Sequence, residues 1–100
     1  MILVGARAQF CAGHKLPQHG DIHGHSYEVW AYVKEGPCVE ELQRKLQSVC
    51  KRLDHKMLND ILSPPTMEKI AEFVAANLAG AENVIVRRPL EGLTCEWSAP

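Results

Sequence analysis

A chain of 100 residues with 46% apolar side chains is long enough for one domain with a real core and too apolar for a disordered segment. Its formal net charge of −1 argues against a broad nucleic-acid or membrane-binding surface, leaving small molecules and further copies of the chain as expected partners. No apolar run approaches membrane-spanning length, and "MILVGARAQF" has neither the basic nor the long apolar region of a secretory leader, so a soluble, cytoplasmic protein is expected.

In that first segment Ile2, Val4, Ala6, Ala8 and Phe10 share one parity, which predicts a half-buried strand ending near Phe10. "LPQHGDIHG" holds Pro, Gly and Asp without periodicity and reads as a loop, and "HSYEVWAYVK" supplies the β-branched and aromatic residues of a second strand. Two strands joined this closely are expected to pair antiparallel. After the break at "EGPC", Val39, Leu42, Leu46, Val49, Cys50 and Leu53 form the stripe of an amphipathic helix reaching about Leu53. Thr66 is a candidate N-cap for a second helix marked by Met67, Ile70, Ala71, Val74 and Leu78 and stopping near Gly80. "ENVIVRR" and "LTCEW" then read as two strands around a turn at "PLEG". The order ββααββ predicts an α+β fold over residues 1–100 as a single domain, with one antiparallel sheet and both helices on one face. Cys11, Cys38, Cys50 and Cys95 are scattered without CxxC spacing and are expected as free thiols.

Four of the five histidines lie between His14 and His25. Alternate residues of a strand share a face, so His23 and His25 in "HGH" can point at one ion, with Gly24 adding no bulk between them. If the first two strands form a hairpin, His14, just past the end of the first, reaches the same point. Three imidazoles suit zinc and leave a fourth position open, which distinguishes a catalytic site from a closed structural one. His19 is open to three readings: a fourth ligand, a general base beside the metal, or a solvated loop residue. In "LDHKMLND", Asp54 could orient and charge His55 as a proton shuttle. The plainer reading is a helix end where His55 and Lys56 complement the dipole.

"FCAGH", "HGHSY", "LDHKMLND" and "PTMEKIAEFVAANL", in this order, resemble the 6-pyruvoyltetrahydropterin synthase and 6-carboxytetrahydropterin synthase family over nearly the whole chain. The resemblance implies the tunnelling fold, a four-stranded antiparallel sheet with two helices, whose trimers close into a barrel, usually pair into hexamers, and place active sites between subunits. It implies His14, His23 and His25 as zinc ligands, Asp54 and His55 as a catalytic pair, and Thr66 and Glu68 beside a pterin ring. The implied reaction is zinc-dependent conversion of 7,8-dihydroneopterin triphosphate with loss of triphosphate; queuosine-pathway members also lose acetaldehyde.

Two positions depart from the family pattern. Most members carry their catalytic cysteine four residues before the first His of HGH, where this chain has His19. Some relatives have glutamate there and cleave the side chain to 6-hydroxymethyl-dihydropterin, so the residue at this place is expected to select the product. The family's pterin-anchoring glutamate, which meets two N–H donors, falls at Arg88. Glu91 could replace it if the turn shifts, with Glu96 more distant; Arg88, with Lys15 nearby, could instead favour an anionic or carbonyl-bearing group. The plainer reading of Arg87 and Arg88 is exposed strand charge. A non-catalytic oligomer with His19 closing a four-His zinc site is the alternative from a different class.

Overall fold

The computed structural model describes residues 1–36 and 38–100, with His19 described through its backbone alone. The first two strands are longer than expected: β1 runs Leu3–Leu16 and β2 His19–Lys34. They pair antiparallel from Leu3↔Lys34 to His14↔His23 and close at Leu16↔His19, so Pro17 and Gln18 form the turn. The expected end of the first strand near Phe10, and the loop expected through "LPQHGDIHG", are corrected accordingly. Burial continues to alternate beyond Phe10, with Ala12 and His14 buried and Cys11 and Lys15 exposed. Pro17 falls where no ladder hydrogen bond is needed, so it breaks nothing.

α1 spans Val39–Lys51, two residues short of the expected end, and buries Leu42, Leu46, Val49 and Cys50. Past a short 3-10 turn at Leu58–Asp60, which the apolar pattern did not signal, α2 spans Met67–Asn77. Thr66 is its N-cap: extended backbone lets the side-chain oxygen accept the Lys69 N–H at 3.4 Å. β3, Ala81–Arg88, and β4, Leu93–Ser98, complete the ββααββ order around the expected turn.

The sheet runs β1-β2-β3-β4, antiparallel throughout. One face buries Ala6, Ala8, Phe10, Ala12, Tyr27, Val29, Ala31, Val33, Val84 and Val86. α1 lies over β1, whose alanines leave room for it, and α2 lies over β3 and β4. The chain leaving α1 is tied to the outer edge of β1: His55 N donates to Cys11 O at 2.6 Å and Gly13 N to Lys56 O at 3.0 Å. This tether brings the segment after α1 to the end of the sheet that carries the histidines. No helix among the described residues is long and apolar enough to cross a membrane.

Candidate metal centre

The cross-strand register places Ala12 opposite His25 and His14 opposite His23, so all three rings issue from the core face near the hairpin tip. His14 therefore lies inside β1 rather than past its end. The ring centroids are 4.6, 5.0 and 4.8 Å apart and the planes cross at 75°, 89° and 83°. One ligand nitrogen from each ring falls within 4.8 Å of the others. A tetrahedral zinc with nitrogen ligands at about 2.0–2.1 Å brings its ligand atoms to roughly 3.3 Å from one another. The His14 and His23 Nε2 atoms already stand 3.0 Å apart, so small ring adjustments supply that spacing.

Each ring also has its far nitrogen engaged. His14 Nδ1 donates to Pro65 O at 2.8 Å, His23 Nδ1 to Asp21 O at 3.1 Å, and His25 Nδ1 to a Glu91 carboxylate oxygen, Oε1, at 2.8 Å. A carbonyl or carboxylate oxygen only accepts, so in each neutral ring the proton sits on Nδ1 and the lone pair on Nε2. The His14 and His23 Nε2 atoms then approach to 3.0 Å with lone pair toward lone pair. That contact is repulsive without a cation or proton between them. His25 Nε2 is buried and has no hydrogen-bond partner among the described residues. A converging set of neutral imidazoles, each held by a second partner, is the donor chemistry that zinc selects. The residues present fit the ion.

Electrostatics favour the neutral ligand form at His25. Burial holds its pKa below the usual imidazole value, and the hydrogen bond to Glu91 offsets only part of that. Glu91 itself is held below the ordinary carboxylate range, first by the Arg88 hydrogen bond. Below the cluster, Tyr27 lies 6.0 Å from His25 and stacks on Phe10 at 5.0 Å, an apolar floor to the site.

Two open cavities meet at His25. One of about 670 Å³ is lined by His14, His23, His25, Asp21, Gln18 and Arg88. The other, about 490 Å³, is lined by His25, Cys11, Ser26, His55, Leu90 and Glu91. His55 thus faces the same space as a candidate metal ligand, within one chain. Its ring Nδ1 lies 2.9 Å from Asp54 Oδ1, and that same oxygen accepts the Cys11 backbone N–H at 3.0 Å. This backbone bond is the first cause holding the Asp54 carboxyl below the usual carboxylate range, with the His55 hydrogen bond second.

Of the remaining residues expected at the site, Arg88 joins the histidines and the others lie apart. Thr66 spends its hydroxyl on the α2 cap but follows Pro65, whose carbonyl supports His14. Glu68 is exposed on the first turn of α2, near enough to Cys95 to add to the upward push that burial gives that thiol. Lys15 is tied through its backbone to the Asn59 side chain and lines a separate cavity of about 400 Å³ with Leu16 and Pro64. Arg88 lines the histidine cavity and donates to Glu91 through Nη2 at 3.0 Å. The His19 side chain, expected as base, fourth ligand or bystander, lies outside the described residues. Sequence reasoning did not find Pro65 and Asp21, which act through backbone carbonyls, or the placement of Cys11 and Ser26 on the His55 cavity. Carbonyl partners carry no side-chain signal; Cys11 and Ser26 become visible once the register is extended past Phe10.

The family model described as 6-pyruvoyl tetrahydropterin synthase matches residues 4–88. A protein of Archaeoglobus fulgidus provisionally named 6-carboxy-5,6,7,8-tetrahydropterin synthase is 32% identical over 88 residues, covering 78% of this chain and 76% of that protein. A Pyrococcus furiosus protein named dihydroneopterin monophosphate aldolase is 32% identical over 80 residues, covering 72% of this chain and 70% of that one. The structure of Caenorhabditis elegans 6-pyruvoyl tetrahydropterin synthase superposes with a TM-score of 0.75 over 99% of this chain and 96% of that one, at 15% identity, a likeness of fold. With ββααββ topology, the HGH clip and a family match over most of its length, this chain belongs to the 6-pyruvoyl tetrahydropterin synthase family.

Proposed function

We propose that this chain is a cytoplasmic zinc-dependent lyase of the 6-pyruvoyl/6-carboxytetrahydropterin synthase type, acting on 7,8-dihydroneopterin triphosphate with loss of triphosphate. The observation that carries the reading is the convergence of three supported imidazoles beside a cavity also lined by His55, whose ring Asp54 holds from behind. Bound at the cluster, zinc would supply a Lewis acid that acidifies the substrate's side-chain hydroxyls. His14, His23 and His25 hold it through Nε2. Asp54 occupies His55 Nδ1, so Nε2 is the ring atom left to take a proton from the substrate side chain and return it. Arg88 and Glu91 at the β3–β4 turn, Thr66 and Glu68 at the start of α2, and Lys15 are the groups proposed to meet the ring and the phosphates. The outer edge of β4, and that of β1 up to Gln9, short of the stretch bonded to the segment after α1, offer the backbone pairing from which a homotrimer or homohexamer would be built, with sites between subunits.

Incubating the purified protein with 7,8-dihydroneopterin triphosphate and identifying products by mass spectrometry tests this reading. Release of triphosphate with a 6-pyruvoyl or 6-carboxy product is expected; absence of both turnover and pterin binding would sink it. The second reading is cleavage of a dihydropterin side chain with His19 as base. It is favoured by His19 at the place of the family's cysteine and by 32% identity to a protein named as an aldolase. In that case the same assay yields a 6-hydroxymethyl product.

A further inference from the structure

The β3–β4 turn reaches back to the histidines through one oxygen atom. Glu91 N and Gly92 N both donate to Arg88 O, at 3.2 and 3.0 Å, and Gly92 takes a φ of +73°. A side chain at position 92 would strain that backbone. The turn so closed sets the Glu91 carboxylate against His25: Oε1 accepts from His25 Nδ1 at 2.8 Å, from Arg88 Nη2 at 3.0 Å and, more weakly, from Arg88 Nε at 3.4 Å. Glu91 is a turn residue with a third of its side chain exposed, yet two partners fix it. The other two rings rest on backbone carbonyls, so His25 is the one whose support is an anion. Its Nε2, buried and without a hydrogen-bond partner among the described residues, is the lone pair that this arrangement points into the cluster.

We propose that Glu91, clamped by Arg88, is a positioning residue for His25: it fixes the Nδ1–H tautomer and the ring orientation and raises the donor strength of Nε2 toward the metal. This rests on the three-histidine metal reading above. A carboxylate behind a ligand histidine makes the imidazole a better donor than a carbonyl does, and losing such a partner typically weakens metal binding about 10- to 100-fold. Arg88 neutralises the carboxylate and holds it in place, so the position where relatives are expected to carry a ring-binding carboxylate here serves the metal through Glu91. The guanidinium is left on the wall of the histidine cavity.

The test measures zinc affinity by chelator competition on the full chain, together with 15N shifts of the His25 ring in metal-free protein, for wild type, Glu91→Ala, Glu91→Gln and Arg88→Leu. Glu91 sits on an exposed turn, so these variants are expected to fold. Glu91→Ala should bind zinc about 10- to 100-fold more weakly and let His25 populate both tautomers. Glu91→Gln, which keeps a neutral acceptor for Nδ1–H, should restore the single tautomer but only part of the affinity, and Arg88→Leu should fall between wild type and Glu91→Ala. Zinc affinity and tautomer unchanged in Glu91→Ala would overturn the proposal and leave Glu91 only the ring-facing role proposed above. A wild type with no zinc affinity would instead overturn the metal reading, and the metal-free tautomer measurement would still decide whether Glu91 controls His25.

Discussion

His55 has a backbone φ of +57°, a conformation few side chains other than Asn, Asp and His adopt readily. It is retained because the segment is bonded on both sides: His55 N to Cys11 O, and Asp54 Oδ1 to Cys11 N and the His55 ring. An exposed histidine whose ring is aimed by a carboxylate suits the proton-transfer role proposed for it. His55→Gly removes the ring while easing the backbone, so it should fold and keep one zinc per chain while turnover falls about 10²- to 10⁴-fold; metal analysis beside a product assay checks both, and loss of zinc would mean the ligand set is wrong. Asp54 supplies a pH signature. Its folded pKa is depressed, so its contribution to stability is present above the unfolded carboxylate value and is lost as pH falls through the lower folded value, in acid below about pH 4. Denaturant midpoints for wild type should drop across that window, and Asp54→Asn should flatten the drop. At Cys50 the sign is opposite: burial pushes the thiol up to about 12, so it should resist thiol reagents at pH 8 in the native state while the exposed Cys11 and Cys38 react.

At the scale of elements, the β1–β2 hairpin carries most of the site, and it was legible in part. Period-two alternation identified both strands and put His23 and His25 on one face, which is why the three candidate ligands could be named from spacing. The six residues of β1 beyond Phe10 and the first residues of β2 could not be read, because Gly13, Gly20 and Asp21 are turn residues by local preference and only cross-strand pairing, which is not local, makes them strand. The helix stripes were clear, whereas the 3-10 turn at Leu58–Asp60 is too short for any period to register. Gly5 shows how closely the hairpin is packed on its other face. A Cβ there would stand 2.5 Å from the Tyr32 ring, which itself stacks on Trp30 at 6.3 Å. Gly5→Ala must displace that ring, with an expected cost of about 1–3 kcal/mol in urea unfolding; an unchanged midpoint would show that Tyr32 moves freely.

Over the whole molecule, one sheet end gathers the histidines from β1 and β2, the Glu91 turn between β3 and β4, the Pro65 carbonyl before α2 and the Asp54–His55 segment after α1. These pieces are spread from residue 14 to residue 91, and topology brings them together. The family motifs carried the fold and the ligand triad. They did not carry the support behind each ligand, because two supports are backbone carbonyls and the third, Glu91, depends on how a four-residue turn folds back. The proposed chemistry requires the cluster to be an open three-nitrogen zinc site that a dihydropterin can enter. The most direct measurement is the visible absorption of the cobalt-substituted protein, titrated with dihydroneopterin triphosphate. One cobalt per chain, with a spectrum that shifts as the pterin binds, is the predicted result; no cobalt uptake, or a four-nitrogen spectrum indifferent to the pterin, would contradict it.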